Sequence, residues 1–306
     1  MKTKLLFYWK PLAAVVVWGV SFIATKIALE EIAPLSIIFL RLILASIFLV
    51  VLAVYSNKKF TISWKNHGSI FILALIAAFH LWIQVTGMQY TTAANTGWII
   101  GTAPIFMAIV GFVVFKESLS PIRIFGILLA FFGLLTLMSK GDFSSIDFLS
   151  NQGDFLILAS AFTWSIYSAV NKKISLSYSP LLTVLFLFVM MAIIISPFSI
   201  HAKAVQSVIV LSSKGWIAIL FLGIFCSGIA YVLWAQALKE MDSVKVGAFL
   251  YSEPFVTVFA AWILLKEEIT FMMILSGIII SIGVLLVNFN VRNLFRDLFH
   301  TLKSSE

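Results

Sequence analysis

Ten runs of apolar residues, each long enough to cross a lipid bilayer, follow one another at 11–29, 34–55, 67–90, 93–115, 120–139, 154–171, 180–200, 214–238, 244–265 and 269–290. Crossing the hydrocarbon takes about 20 apolar residues. Within it every backbone polar group needs an internal partner, so runs of this kind fold as helices. The chain is therefore expected to be an all-α integral membrane protein with ten transmembrane helices. Composition removes the alternatives: of 306 residues, 61% are hydrophobic and 11% charged, at a mean hydropathy of +1.08. No sizeable soluble domain fits between the runs. The first run follows Lys2, Lys4 and Lys10, as a signal peptide would. Yet Lys26 and Glu30 stand where small residues would mark a cleavage site, so it is read as the first membrane helix.

Charge sets the expected orientation. The N-terminal segment and the loops on its side of the membrane carry fifteen Lys and Arg, from Lys2 to Lys303, against four (Lys140, Lys203, Lys214, Lys266) in the opposite loops. Basic loops stay in the cytoplasm, so both termini are expected on the cytoplasmic face of the cell membrane. The net charge of +8 is explained by these loops. There is no contiguous basic stripe, and no nucleic-acid partner is expected. The one cysteine, Cys226, excludes an intrachain disulfide and a zinc site of paired thiolates; no metal or cofactor is anticipated.

The chain also repeats itself. Shifted by 150 residues, Gly97 falls on Gly247, Pro104 on Pro254, Lys116-Glu117 on Lys266-Glu267 and Gly133 on Gly283; a shift of 146 sets Trp18 on Trp164, Lys26 on Lys172 and Pro34 on Pro180. Proline and a Lys-Glu pair are scarce letters in so apolar a chain, so these matches carry weight. The expected organisation is a first five-helix repeat over 1–140, a connecting loop at 141–153, and a second five-helix repeat with a short tail over 154–306. Because five is odd, the second copy crosses in the opposite sense. Inverted repeats of this kind are the usual frame of alternating-access carriers.

Here the residues carry a family resemblance. Trp18-Gly19-Val20-Ser21-Phe22 through Lys26, Arg41 in the second run, and two copies of Pro, an apolar helix, Lys-Glu and a Gly-containing helix (Pro104 to Gly133, Pro254 to Gly283) resemble the EamA-like family of drug/metabolite transporters. The resemblance covers nearly the whole chain. It implies transport of small metabolites across the cytoplasmic membrane, often as efflux, through a central cavity between the halves. The second half departs from the pattern at Leu187, which stands where a partner of Arg41 would fall.

Polar side chains are costly in lipid, about 2.5 to 3.5 kcal/mol for a central charge, and so face protein or water. Helical spacing gathers Trp18, Ser21 and Thr25 on one face, as it does His80 with Gln84, and Asn95 with Trp98 and Thr102. In the second half Ser160, Trp164, Tyr167 and Asn171, then Ser227, Tyr231 and Trp234, then Tyr251, Ser252 and Glu253 form similar sets. This places the first, third, fourth, sixth, eighth and ninth runs around a cavity, the second and seventh at the periphery, and the fifth and tenth as scaffold. The candidate substrate-binding residues are Trp18, His80, Gln84, Asn95, Trp98, Trp164, Tyr167, Tyr231, Trp234 and Tyr251. Their chemistry favours small amphipathic substrates such as amino acids or their relatives. Phosphate substrates would want several cavity cations, and only Arg41 and Lys26 are at hand. Lys26 is expected to snorkel to the outer interface. Arg41 lies about 10 Å into its helix and should find a carboxylate or carbonyl, with Glu30 or Glu31 well placed; a structural role is favoured over contact with substrate.

Pro104 and Pro254 free the carbonyls of Ile100 and Leu250 and are hinge candidates. The two Lys-Glu pairs are read as interfacial anchors with local ion pairs, and Gly126, Ala130 and Gly133 as close helix packing. Glu253, just before Pro254 and near the middle of its run, is the coupling candidate. It either satisfies backbone freed by the proline, or exchanges a proton or meets a cationic substrate group. The leading function is secondary active transport, with export the favoured direction. A passive channel or an intramembrane enzyme stands behind it, but no carbonyl filter, nucleotide motif, His-Glu-x-x-His or Gly-x-Ser-x-Gly occurs.

Overall fold

The computed structural model describes residues 2–58, 67–115, 120–142, 152–175, 179–240, 246 and 248–288. Every regular element among them is helical: α1 (Lys2–Leu29), α2 (Pro34–Tyr55), α3 (His67–Gly87), α4 (Ala93–Ile100), α5 (Ala103–Phe115), α6 (Pro121–Ser139), α7 (Gln152–Ser175), α8 (Pro180–Ser199), α9 (Ala202–Ile209), α10 (Ser213–Leu220), α11 (Tyr231–Glu240), α12 (Glu253–Ala260) and α13 (Phe271–Asn288). A π-helical segment, Phe221–Ala230, joins α10 to α11, a 3-10 turn, Ala248–Ser252, leads into α12, and a second π segment, Ala261–Leu265, follows it. Eight helical units are long and apolar enough to cross a membrane, and Phe249–Leu265 and Phe271–Leu286 are shorter apolar helices. The protein is a multi-pass helical membrane protein.

Local chemistry sets the boundaries. Proline opens α2, α6 and α8 at Pro34, Pro121 and Pro180, in the first turn, where its missing N–H costs nothing. Several buried hydroxyls are satisfied within their own helices: Ser21 donates to the Trp18 carbonyl at 2.7 Å, Thr25 to Ser21 at 2.8 Å, and Thr257 to Glu253 at 3.0 Å. That makes them tolerable where no water reaches.

Hydrogen bonds sort the helix ends onto two faces. At one, Lys10 of α1 holds both carboxylate oxygens of Glu240 at 2.7 and 2.8 Å. At the other, Glu31 accepts from the Ser212 backbone N–H at 2.7 Å and from its hydroxyl at 2.6 Å. On that same face Thr91 donates to Asp154, and Glu267 accepts from the N–H groups of Ala93 and Ala94 at 2.9 and 3.0 Å, capping α4 from a distant part of the chain.

The expected scaffold is present. α6 packs on α13 along most of its length, and a Cβ added at Gly283 would meet the Ala130 nitrogen at 2.5 Å and the Gly126 carbonyl at 2.6 Å. The seventh run is not peripheral, however. As α8 it buries Leu185, Leu187, Phe188 and Met191 against α2 and α3. The short helix α9 was not foreseen. The pair Lys116-Glu117 and Gly247 lie outside the described residues, whereas the capping by Glu267 replaces the expected local ion pair.

Candidate functional site

Both candidate hinge prolines fall at breaks. The fourth run divides at Gly101 and Thr102, with Pro104 in the first turn of α5; the ninth changes from 3-10 to α geometry immediately before Pro254 in α12. The two interruptions correspond under the shift of 150. Each presents the same two positions to a central cavity: Ile100 and Ala103 from the first, Leu250 and Glu253 from the second.

That cavity, about 60 Å³ in volume, is also lined by Trp18, Ser21, Phe22, Thr25, Arg41, His80, Leu81, Gln84, Trp164 and Tyr231. It extends along α1 and α3 toward the face that carries Glu31. Six expected site residues meet here: Trp18, His80, Gln84, Trp164, Tyr231 and Glu253. The helices expected to line it do so, and α2 joins them through Arg41.

His80 is 4% exposed. Its Nδ1 lies 2.9 Å from the Ser160 carbonyl, which also accepts from the Thr163 hydroxyl at 3.0 Å. A carbonyl can only accept, so Nδ1 carries the proton and Nε2 is left as an acceptor. Trp18 packs against Trp164, Tyr231 and Trp234 at ring separations of 5.9, 5.3 and 5.2 Å, and Trp164 stacks on Tyr167 at 5.1 Å. These rings form a plug beneath the cavity. The indole N–H of Trp18 donates to the Cys226 carbonyl at 3.2 Å, within the π segment, where the widened ladder changes the usual carbonyl pairing.

Below the plug is a second, smaller cavity of about 20 Å³. It is lined by Tyr167, Asn171, Pro180, Thr183, Val184, Leu187, Tyr231, Trp234 and Ala235 and points to the face of Lys10 and Glu240. Tyr231 belongs to both. The shift of 146 sends Ser21, Thr25 and Arg41 of the first cavity to Tyr167, Asn171 and Leu187 of the second, and the shift of 150 sends Leu81 and Gln84 to Tyr231 and Trp234. The smaller cavity is thus the counterpart of one end of the larger.

The other expected site residues stand elsewhere. Tyr167 and Trp234 belong to the plug and the second cavity. Trp98 serves packing: it lies against Phe255, and a Cβ at Gly277 would come within 2.4 Å of its ring, so that glycine provides its slot. Tyr251 packs with the same apolar cluster and lines neither cavity. Asn95 stands beside the Asp154 carboxylate at the face opposite Lys10 and lines neither cavity. Lys26 reaches toward the face of Glu31, where its Nζ donates to the Met88 and Thr91 carbonyls at 2.8 and 2.9 Å. Arg41 does not take Glu30 or Glu31, since Glu31 is engaged by Ser212 and Glu30 lies 3.7 Å from Lys214. Instead its Nε donates to the Ser227 hydroxyl at 2.9 Å. No metal-holding cluster of His, Cys, Asp or Glu exists among the described residues.

A polar, aromatic-lined cavity in a helical membrane bundle, plugged toward one face, defines the class of a membrane transporter. The chain belongs to the EamA-like transporter family, which it matches twice, over residues 6–139 and 151–289. It is 31% identical to an "Uncharacterized transporter" of Archaeoglobus fulgidus, over 88% of this chain and 93% of that one. It is 27% identical to the "Probable amino-acid metabolite efflux pump" of Escherichia coli, over 92% and 94%. A crystal structure covering 94% of this chain and 97% of its own superposes with a TM-score of 0.68 at 16% identity, a likeness of fold.

Proposed function

We propose that the protein is a secondary active carrier that exports small amphipathic metabolites, amino acids or their relatives, by alternating access. Its two five-helix halves, 1–140 and 154–306, cross the membrane in opposite senses, so the chain has ten spans with both termini in the cytoplasm. The observation that carries this reading is the pair of cavities at repeat-related positions, with Tyr231 and the tryptophans between them. In one conformation the larger cavity is accessible from outside. Exchanging the roles of the halves enlarges the smaller one toward the cytoplasm. The double family match and the relative described as an amino-acid metabolite efflux pump support the same reading. Glu253 is the coupling candidate, and the breaks at Pro104 and Pro254 are the hinges.

Purified protein in liposomes, challenged with amino acids, nucleosides and cationic drugs, tests this directly. A carrier shows saturable flux accelerated by substrate on the opposite side. Saturable flux without that acceleration indicates a passive facilitator, and chemical conversion of a substrate an enzyme. Reporter fusions after Asn57 and Ser304 should both report cytoplasm; an external reading at either overturns the ten-span arrangement.

A further inference from the structure

Arg41 and Glu253 share an unusual condition. Arg41 is 5% exposed and Glu253 6%, and both line the larger cavity together with Tyr231. Neither is paired with the other. Among the described residues the Arg41 side chain makes one hydrogen bond, from Nε to Ser227, and its two terminal nitrogens have no partner. Among the described residues the Glu253 carboxylate likewise has no hydrogen-bond partner; the Thr257 hydroxyl, one turn on, donates to the Glu253 backbone carbonyl.

A guanidinium and a carboxylate buried within a bilayer each carry a desolvation penalty that a complementary ion with hydrogen bonds offsets. Two such groups of opposite sign, both unpartnered and both facing one cavity, call for a ligand with both signs. A ligand that is only cationic leaves Arg41 unpaired and repelled; one that is only anionic does the same to Glu253. A molecule with one carboxylate and one ammonium satisfies both and brings no net charge into the membrane.

Resting on the transport reading of this same cavity, we propose that its substrate is a small zwitterion. The Arg41 guanidinium takes the carboxylate through its terminal nitrogens, and the Glu253 carboxylate takes the ammonium. Trp18, Trp164 and Tyr231 pack the apolar remainder. The smaller cavity has Leu187 in place of Arg41, so the carboxylate is held only on the side of the larger one.

The test uses full-length protein in nanodiscs and four probes: phenylalanine, its methyl ester, its N-acetyl derivative and the N-acetyl methyl ester. Binding is read by quenching of intrinsic tryptophan fluorescence and by thermal shift, with leucine and its derivatives repeated in parallel. Wild type should bind a free amino acid at least about tenfold more tightly than its ester or its N-acetyl form, as expected for loss of one charge-assisted contact. Arg41→Gln should lose the preference for amino acid over ester and keep that over the N-acetyl form. Glu253→Gln should do the reverse. Equal binding of zwitterion and masked forms by wild type overturns the proposal, as does an unchanged preference in Arg41→Gln. Where a variant does not fold, the wild-type probe series decides alone. Liposome flux separates the two readings: movement of nucleosides or cationic drugs but no amino acid sinks the zwitterion and leaves the transporter, whereas no movement of any panel member sinks both.

Discussion

The two cavities are lined by residues that correspond under the sequence shifts of 146 and 150, and they differ in what fills them. Toward one face stand Ser21, Thr25, Arg41 and Gln84; their counterparts toward the other are Tyr167, Asn171, Leu187 and Trp234. In the proposed carrier each cavity is one end of the pathway, and side-chain volume sets which is the larger. Small hydroxyls and an amide leave room, while a tyrosine and a tryptophan complete the plug. The charge is one-sided too, since Leu187 cannot hold an anion. The sequence correspondence thus holds at the proline breaks and fails in the lining.

The sharpest way to break the contrast is to give the larger cavity the residue of the smaller. Arg41→Leu is expected to lower flux in proteoliposomes at least about tenfold, since one charge-assisted contact with substrate is lost. The apolar replacement leaves only the Ser227 hydroxyl without its donor, so the protein should still purify as a folded species. Flux within twofold of wild type would show that the guanidinium is structural, as its sequence position alone suggests.

The converse exchange is Trp234→Gln, which carries the residue at Gln84 into the plug. Trp234 packs 5.2 Å from Trp18, whose indole in turn bonds the Cys226 carbonyl. Thinning the plug should let a maleimide reach Cys226, the single cysteine and fully buried in the wild type. Labelling several-fold faster, with uphill transport reduced more than downhill leak, is the expected result. An unchanged labelling rate would mean that Trp234 is not part of the barrier.

Much of this architecture is legible in the sequence, because lipid enforces it. The apolar runs, the proline breaks and the polar faces of α1 and α3 follow from the cost of unsatisfied groups in hydrocarbon. What was hidden depended on distant partners. Trp98 sits on a face with Asn95 that reads as a cavity lining, but Gly277, far along the chain, makes a slot for it. Arg41 lies in an otherwise apolar helix, and its partner is a serine on the π segment, which has no periodic signature of its own. Glu267 reads as an interfacial charge until α4 brings two free N–H groups to it.

Smaller effects probe the face below the plug. Lys10 and Glu240 join α1 to α11 there, with side chains 17% and 33% exposed. A pair so open to solvent contributes about 0 to 1 kcal/mol, so Lys10→Ala should shift the melting temperature little. If it does help to close the smaller cavity, maleimide labelling of Cys226 should rise, by less than in Trp234→Gln. A rise larger than that of the tryptophan variant would reverse the ranking of plug and ion pair as barriers.

The smallest effect lies on the opposite face, where Glu31 accepts from the hydroxyl and the N–H of Ser212. Those bonds, the hydroxyl one first, hold its carboxyl below the usual carboxylate range, with a smaller contribution from Lys214. A carboxyl lowered in the folded state adds stability that is complete above its unfolded pKa and is lost as pH falls through the folded value. Thermal unfolding in nanodiscs should therefore lose stability on acidification below the ordinary carboxylate range. In Glu31→Gln part of that acid-side slope should disappear, with behaviour at neutral pH nearly unchanged. Because the link ties the loop after α1 to the start of α10 on the face opposite Lys10 and Glu240, its loss should leave the labelling of Cys226 from the other face where it was. A change in that labelling would show that the two faces are coupled through α1 even without substrate.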